Sequence, residues 1–190
     1  MRRFPADRAH PRRLVSHPAG PRVFVTTLRK KELGRSGLRH PGHERLRHVA
    51  LYTLARAAPQ VVGDLTVVVT DDKAIRQLNQ RFRDKDVATD VLAFALNDGL
   101  AAGEPFGDVV ISIQTAKRQA RKYGASLDDE MCRLLVHGTL HLCGHDHHER
   151  RAAARMHGLT RRLLRELAVA QTTGSRKEAP ERLGRRPVHA

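Results

Sequence analysis

Cysteine and long apolar runs are both scarce in this chain of 190 residues. The two cysteines, Cys132 and Cys143, are too few for a disulfide framework and are typical of a protein from a reducing compartment. No run of about 18 apolar residues occurs, which excludes a hydrophobic membrane-spanning helix. The first residues are rich in arginine and proline and lack the apolar segment of a secretory signal. We therefore expect a cytoplasmic protein with no contact to membrane.

Acidic residues are also in short supply, because 20 aspartates and glutamates oppose 35 lysines and arginines, a net charge of +15. Most of the excess lies at the ends of the chain. Residues 1–40 hold 11 basic and 2 acidic residues, and residues 171–190 hold 5 and 2. Basic arms of this kind commonly contact polyanions, of which nucleic acid is the most obvious. A solvated tail without a fixed partner is an equally good interpretation of the same charge.

Three regions follow from this distribution and from the hydrophobic pattern. Residues 1–21 contain four prolines among many arginines, and we predict that they form a disordered basic extension. Residues 22–168 are predicted to be one domain, long enough to build its own hydrophobic core. Residues 169–190 are predicted to be a disordered basic tail.

Within the domain, β-branched runs alternate with segments whose apolar residues recur at helical spacing. We predict strands at 22–27, 65–69, 91–94 and 109–112, and helices at 43–57, 72–83, 113–123, near 130–143 and at 149–168. Thr70 or Asp71 is suited to cap the second helix and Ser112 the third, whose apolar face is expected to include Tyr123. The pattern predicts an α+β fold in which about five helices pack on a small mixed β-sheet of about four strands.

The most informative stretch holds five histidines between residues 137 and 148. His137 and His141 are four residues apart, so on a helix their imidazoles lie on one face, a turn apart. Gly144 permits the left-handed conformation that ends a helix, after which the chain can bring His147 back towards the pair. Three neutral imidazoles around one point bind a zinc-like ion and leave coordination positions for water or substrate.

The alternative for this stretch is a histidine-rich helix end that is merely solvated. Asp146 is a candidate to orient a ligand histidine, and His145 is an alternative ligand. Cys143 could be a soft ligand, although packing in the core is the commoner role. Gly138 stands where zinc proteases carry the glutamate that serves as general base, which argues against peptide hydrolysis. The residues alone therefore favour a metal-dependent hydrolase of some other substrate.

A second polar stretch begins where the helix near residue 83 is predicted to end. It contains Arg83 and Lys85 and leads into the short apolar strand that starts at Val91. A guanidinium suits a phosphodiester because it offers several fixed donors and keeps its charge. Considered alone, Arg83 would be an ordinary surface arginine; the metal motif, together with the family pattern described below, makes it a candidate for phosphate contact.

Both stretches resemble those of the YbeY family, the bacterial endoribonucleases also called rRNA maturation factors. His137-Gly-Thr-Leu-His141-Leu-x-Gly-x-Asp146-His147 is similar to the metal motif of the family, which commonly has tyrosine where this chain has His145. The resemblance implies that zinc is bound by the three matching histidines.

The second stretch is similar to the family pattern Asn-x-x-(aromatic)-Arg-x-Lys-Asp-x-x-Thr-Asp-Val-Leu-x-Phe. Arg83 occupies the position of the functionally important arginine, which implies a catalytic and RNA-binding role, and Lys85 lies at the matching lysine. The resemblance extends over about residues 45–168.

The function implied by the resemblance is zinc-dependent cleavage of single-stranded RNA. Ribosomal RNA and the small ribosomal subunit are the expected partners, in maturation of the 16S rRNA 3′ end and in ribosome quality control. Two alternatives remain: a non-catalytic zinc-containing ribosome-assembly protein, and a metal-dependent hydrolase of another substrate. The nucleophile also remains open, since either a metal-activated water or the RNA 2′-OH can attack the phosphorus.

Overall fold

The computed structural model describes residues 20–28, 42–145 and 150–175, and these contain four strands and five helices. In chain order the elements are β1 (Val23–Thr27), α1 (His43–Ala57), β2 (Asp64–Thr70), α2 (Asp72–Arg83), β3 (Val91–Ala95), β4 (Pro105–Ser112), α3 (Ile113–Tyr123), α4 (Leu127–Leu142) and α5 (Arg150–Ser175). The predicted α+β architecture is confirmed.

The four strands form one mixed sheet in the order β1-β2-β4-β3. β2 pairs in parallel with both β1 and β4, whereas β3 pairs antiparallel with β4. Parallel neighbours need crossover connections, which helices such as α1 supply, while β3 and β4 are joined by the loop at 96–104. β3 is therefore an edge strand, reached directly from the polar stretch that contains Arg83.

Alternating residues of the strands face two different helical layers. On one face, Val67 and Val109 are fully buried in a core built with α1, α3, α4 and α5. On the other face, Ile75 of α2 packs against Leu92 and Val110 in a smaller cluster. Helix α4 contacts the sheet as well as α1, α3 and α5, which makes it the central helix of the fold.

Side-chain caps fix the starts of three helices. Asp71 accepts a hydrogen bond from the Ala74 N–H at 2.8 Å, and Ser112 accepts one from the Thr115 N–H at 3.3 Å. These two caps confirm the sequence predictions. The cap of α4 is Ser126, whose hydroxyl accepts from the Asp129 N–H at 3.0 Å. Each cap satisfies a backbone donor that the helix itself leaves unpaired.

Two details differ from the predictions. The side chain of Tyr123 is 64% exposed, so its assignment to the buried face of α3 was wrong. It occupies the last turn before Gly124, where α3 has reached the surface. Helix α5 continues to Ser175, seven residues beyond its predicted end. The prediction stopped after the last regularly spaced leucine. Residues 169–175 include weak helix formers but no proline, so nothing in them forces the helix to end earlier.

Residues 1–19 of the predicted basic extension and residues 176–190 of the predicted tail lie outside the described residues. The predictions for those segments therefore stay predictions. In the ranges that the structure does describe, none of the helices combines the length and the apolar character needed to cross a membrane.

Candidate active site

Helix α4 presents His137 and His141 from the centre of the fold. Its apolar side is buried, with Met131 and Leu135 fully inaccessible to solvent. Both histidines are half-buried, at the border between this apolar side and the surface. A side chain on such a helix has little freedom to move, so the two imidazoles are held in place by the core beneath them.

Gly138 lets α4 lie unusually close to the sheet. A Cβ atom at this position would be 2.7 Å from Cγ1 of Val109 and 3.1 Å from Cγ2 of Val91. These two valines belong to β4 and to the edge strand β3. The absence of a side chain therefore brings the histidine-bearing helix against the edge of the sheet.

The two histidines form a close pair, as their spacing predicts. Their ring centroids are 4.8 Å apart, and the ring planes are nearly perpendicular at 89°. Two imidazoles at this separation can direct nitrogen atoms to a shared point, which suits a zinc-like ion. This part of the predicted ligand set is brought together by the structure.

A third histidine, His157 of α5, lies beside this pair. Its ring centroid is 6.2 Å from that of His137, with the planes 15° from parallel. His157 is not among the site residues that the sequence predicts. No local pattern could reveal the contact, because it depends on how α5 packs against α4.

The turn after α4 confirms the predicted role of Gly144. This glycine has a φ of +83°, in the left-handed region, and its N–H bonds to the carbonyl of His141 at 3.0 Å. The N–H of His145 bonds to the carbonyl of Leu140, also at 3.0 Å. The paired bonds form a Schellman motif, which ends the helix and fixes the direction of the chain.

The remaining predicted site residues of this segment, Asp146 and His147, lie outside the described residues. His145 is described and is half-buried directly after the turn. Within the described ranges, no three His, Cys, Asp or Glu side chains lie close enough to share a metal ion. The two half-buried imidazoles of His137 and His141 fit two of the three ligand positions of a three-histidine site. His147 stays the predicted third ligand.

Cys143 packs against the main core rather than standing free beside the histidines. Burial raises the pKa of its thiol to about 11, so the thiol is protonated at neutral pH. A pKa raised by burial is typical of an inert, structural cysteine. Packing in the core is therefore the role that the structure supports for Cys143.

The loop after α2 presents Arg83 and Lys85 to solvent. Arg83 is the last residue of the helix, and both side chains are exposed. Asp84 between them is in the left-handed conformation with a φ of +56°, which sequence reasoning did not anticipate. Asn79 holds the loop in place, since its side-chain amide donates to the carbonyl of Val87 at 2.8 Å.

The same loop is tied to the helical layer through Asp90. One carboxylate oxygen of Asp90 accepts from the side-chain amide of Gln119 at 3.0 Å. Arg133 of α4 donates to the side-chain oxygen of Gln119 at 3.5 Å. It also donates to the buried carboxylate of Glu130 at 2.5 and 2.8 Å. Asp90 and Gln119 thus connect the loop that carries Arg83 to helix α4, which carries the histidine pair.

Comparison with known proteins places this site in a family. The model of the family described as Endoribonuclease YbeY matches residues 41–168. The chain belongs to this family. The matched residues include Arg83, the histidine pair and His147, so every position carried over from the resemblance lies within the YbeY match.

Two relatives, both named Endoribonuclease YbeY, illustrate the extent of the similarity. The protein from Heliobacterium modesticaldum is 40% identical over 142 residues, which cover 66% of this chain and 86% of the relative. The protein from Myxococcus xanthus is 53% identical over 106 residues, which cover 54% of this chain but 36% of the relative. The chain therefore spans only about a third of the Myxococcus protein.

A solved structure shows a similar fold. The solution structure of TM1509 from Thermotoga maritima matches with a TM-score of 0.53 and 22% sequence identity. The match covers 87% of this chain and 99% of the other. At this identity the likeness supports the α+β fold alone.

Proposed function

We propose that this YbeY-family protein is a metal-dependent endoribonuclease that cleaves single-stranded RNA. The observation that carries the proposal is the pair of imidazoles, His137 and His141, 4.8 Å apart on the central helix. The pair lies inside the residues that match the family, and the relatives carry the name endoribonuclease. Gly138 leaves no place for the glutamate of a zinc protease, which argues against peptide as the substrate.

The proposed metal is zinc, one ion per chain, with His137, His141 and His147 as ligands. Bound zinc would supply Lewis acidity and lower the pKa of a coordinated water to about 7. The protein contributes rigid placement, because the buried helix and the Schellman turn fix His141 and direct the chain towards His147. Asp146 is proposed to orient a ligand histidine, and His145 stays the alternative ligand.

Arg83 and Lys85 are the proposed contacts to the RNA phosphates. Both are exposed at the end of α2, and Asn79 limits the movement of the loop that carries them. A guanidinium can donate two parallel hydrogen bonds to a phosphate and offset the charge that develops during cleavage. Arg83 is therefore the proposed catalytic residue, while Lys85 adds a point charge for binding.

Ribosomal RNA is the proposed substrate, with the small ribosomal subunit as partner and maturation of the 16S rRNA 3′ end as the task. Support comes from the net charge of +15, which suits a polyanion, and from the family to which the chain belongs. The cytoplasm is the proposed compartment, since Cys132 and Cys143 are both free thiols.

Cleavage assays with a labelled single-stranded RNA and with casein, each with and without chelator, test the activity. We expect RNA cleavage that chelator abolishes and zinc restores, and no cleavage of casein. Elemental analysis should find about one zinc per chain in the wild type and in His145→Ala, and much less in His141→Ala. His48→Ala, an exposed histidine of α1, is the matched control and should retain the metal.

Each alternative has its own outcome in these assays. Full zinc content without cleavage of any RNA would identify a non-catalytic assembly factor. Chelator-sensitive hydrolysis of casein would identify a hydrolase of another substrate. Loss of zinc in His145→Ala, together with retention in His147→Ala, would show that the ligand assignment is wrong.

A further inference from the structure

An arginine-rich groove lies between helices α1 and α5, apart from the proposed metal ligands. Its lining residues are Tyr52, Arg56, Arg162, Arg165, Glu166 and Val169. Arg161 lies one turn before Arg165 on α5, and its carbonyl accepts a hydrogen bond from Nε of Arg165 at 3.3 Å. Tyr52, Arg56, Arg161, Arg162 and Arg165, together with Glu166, are called the α1–α5 arginine surface below.

This surface carries a large excess of positive charge. Glu166 is half-buried at its centre and accepts hydrogen bonds from the Tyr52 hydroxyl at 2.8 Å and from Nε of Arg162 at 3.0 Å. The guanidinium of Arg56 approaches the same carboxylate at 3.7 Å. Within the part of the chain that the structure describes, Glu166 is the one acidic side chain paired with these arginines. Four guanidinium groups against one carboxylate leave a net charge of +3.

Tyr52 adds an aromatic face to the charge. Its ring is half-buried, and the guanidinium carbon of Arg56 lies 5.0 Å from the ring centroid. Glu166 fixes the ring through the phenol hydrogen bond. Aromatic rings and arginine planes beside a basic groove are the features on which single-stranded nucleic acids stack their bases.

Helix α5 leads from the candidate active site to this surface. His157 lies beside His137, and Arg161 and Arg165 follow it at spacings of four and eight residues. Residues at these spacings share one side of a helix, and eight residues extend about 12 Å. At the roughly 3.4 Å axial rise per nucleotide of a helical strand, this distance corresponds to about four nucleotides.

We propose that the α1–α5 arginine surface binds the phosphate backbone of the RNA strand where it extends beyond the cleavage site. The identity of the strand as substrate rests on the proposed function. An acidic protein segment is the other polyanion to consider, but it would not require continuity with the histidine pair. The arginines bind several nucleotides away from the scissile bond, so they contribute to affinity for long substrates and not to the chemical step.

The test compares two double variants that remove the same charge. Arg161→Ala/Arg165→Ala alters the surface, and both arginines are exposed with no acidic partner among the described residues. Arg121→Ala/Lys122→Ala removes two exposed charges at the end of α3 and is the control. Fluorescence anisotropy would measure affinity for labelled single-stranded RNAs of 4 and 12 nucleotides between 50 and 200 mM salt, and thermal melting would verify folding.

We expect the surface variant to bind the 12-nucleotide RNA about tenfold more weakly at low salt, with a salt slope reduced by about 1.4, because each lost contact to a single strand contributes about 0.7. Binding of the 4-nucleotide RNA should weaken much less, because a strand of that length cannot reach both arginines from the cleavage site. KM for cleavage of the long RNA should rise with kcat constant, and the control should match the wild type.

Unchanged affinity and slope in the folded surface variant would overturn the proposal, and so would an equal loss in the control. A 12-residue polyglutamate that binds the wild type more tightly than RNA, and the surface variant weakly, would instead assign the surface to an acidic protein. If the wild type binds but does not cleave RNA while the variant loses binding, the proposed function fails and this inference stands. Cleavage with unchanged binding in the variant would reject this inference alone.

Discussion

Gly138 links the packing of the site to its chemistry. The nearest valine methyl groups leave no room for a Cβ atom at this position. A glutamate there, as in zinc proteases, would require α4 to move away from the sheet. The sequence argument against peptide hydrolysis, which rested on the residue type alone, therefore has a steric basis.

Gly138→Ala should lower the free energy of unfolding by about 1–3 kcal/mol, the usual cost of overpacking a core. The higher helix propensity of alanine offsets at most about 1 kcal/mol of this. Urea denaturation of Gly138→Ala, Val109→Ala and the double variant would measure the coupling. We expect the double variant to be more stable than the sum of the two single changes implies. Strict additivity would show that the contact with Val109 is not what requires glycine.

Arg83 is the residue whose substitution tests the proposed chemistry most directly. Arg83→Lys keeps the charge but loses the planar fork, so it should slow RNA cleavage, and Arg83→Ala should slow it further, by on the order of a hundredfold. Zinc content and melting temperature should barely change, because the side chain is exposed. Arg81→Ala, in the same helical turn, is the control. A wild-type cleavage rate in folded Arg83→Ala would remove Arg83 from the mechanism.

At the scale of elements, Asp72 joins the starts of α2 and α3. Its carboxylate accepts hydrogen bonds from the hydroxyls of Ser112 and Thr115 at 2.5 and 2.7 Å, and from the guanidinium of Arg118 at 2.7 Å. Partial burial is the largest single influence and raises the pKa of Asp72. The hydrogen bonds together outweigh it, so the net effect is a lowered pKa.

A lowered pKa in the folded state stabilises the fold above the ordinary carboxyl pKa, and this stabilisation disappears as pH falls through the folded-state value. Asp72→Asn should therefore lower the free energy of unfolding at pH 7 by on the order of 1 kcal/mol. As pH falls below the ordinary aspartate pKa of about 4, the gap to the wild type should narrow, since protonation of the carboxyl removes the charge that its partners stabilise. Urea denaturation at several pH values would measure this. A gap that stays constant with pH would show that the charge of Asp72 contributes nothing.

Short-range sequence patterns were sufficient to predict most helices and strands, but not the contacts between these elements. The bounds of α1 agree with its apolar spacing, and the caps at Asp71 and Ser112 were predictable from residue type. The exposure of Tyr123 was not, because the spacing of residues does not reveal where a helix leaves the core. The approach of His157 to His137 also depends on the packing of α5 against α4.

At the scale of the whole molecule, the charge is divided between residues 20–175 and the two terminal segments. Residues 1–19 hold 5 basic and 1 acidic residues, and residues 176–190 hold 5 and 2. Together the segments carry +7 of the net +15, which leaves +8 on the rest. The α1–α5 arginine surface accounts for +3 of the remaining charge. Both parts of the molecule thus carry the positive charge that the proposed contact with RNA requires.

Removal of residues 1–19 and 176–190 should separate these contributions. We expect a folded, zinc-containing protein, because neither segment has a periodic apolar face and α5 is kept to Ser175. RNA affinity should fall and its salt dependence should flatten, since fewer phosphate contacts release fewer counterions. A residual slope should persist and should decrease again when Arg161→Ala/Arg165→Ala is introduced into the shortened protein. If truncation leaves the slope unchanged, the terminal segments do not contact RNA, and the core alone provides the binding charge.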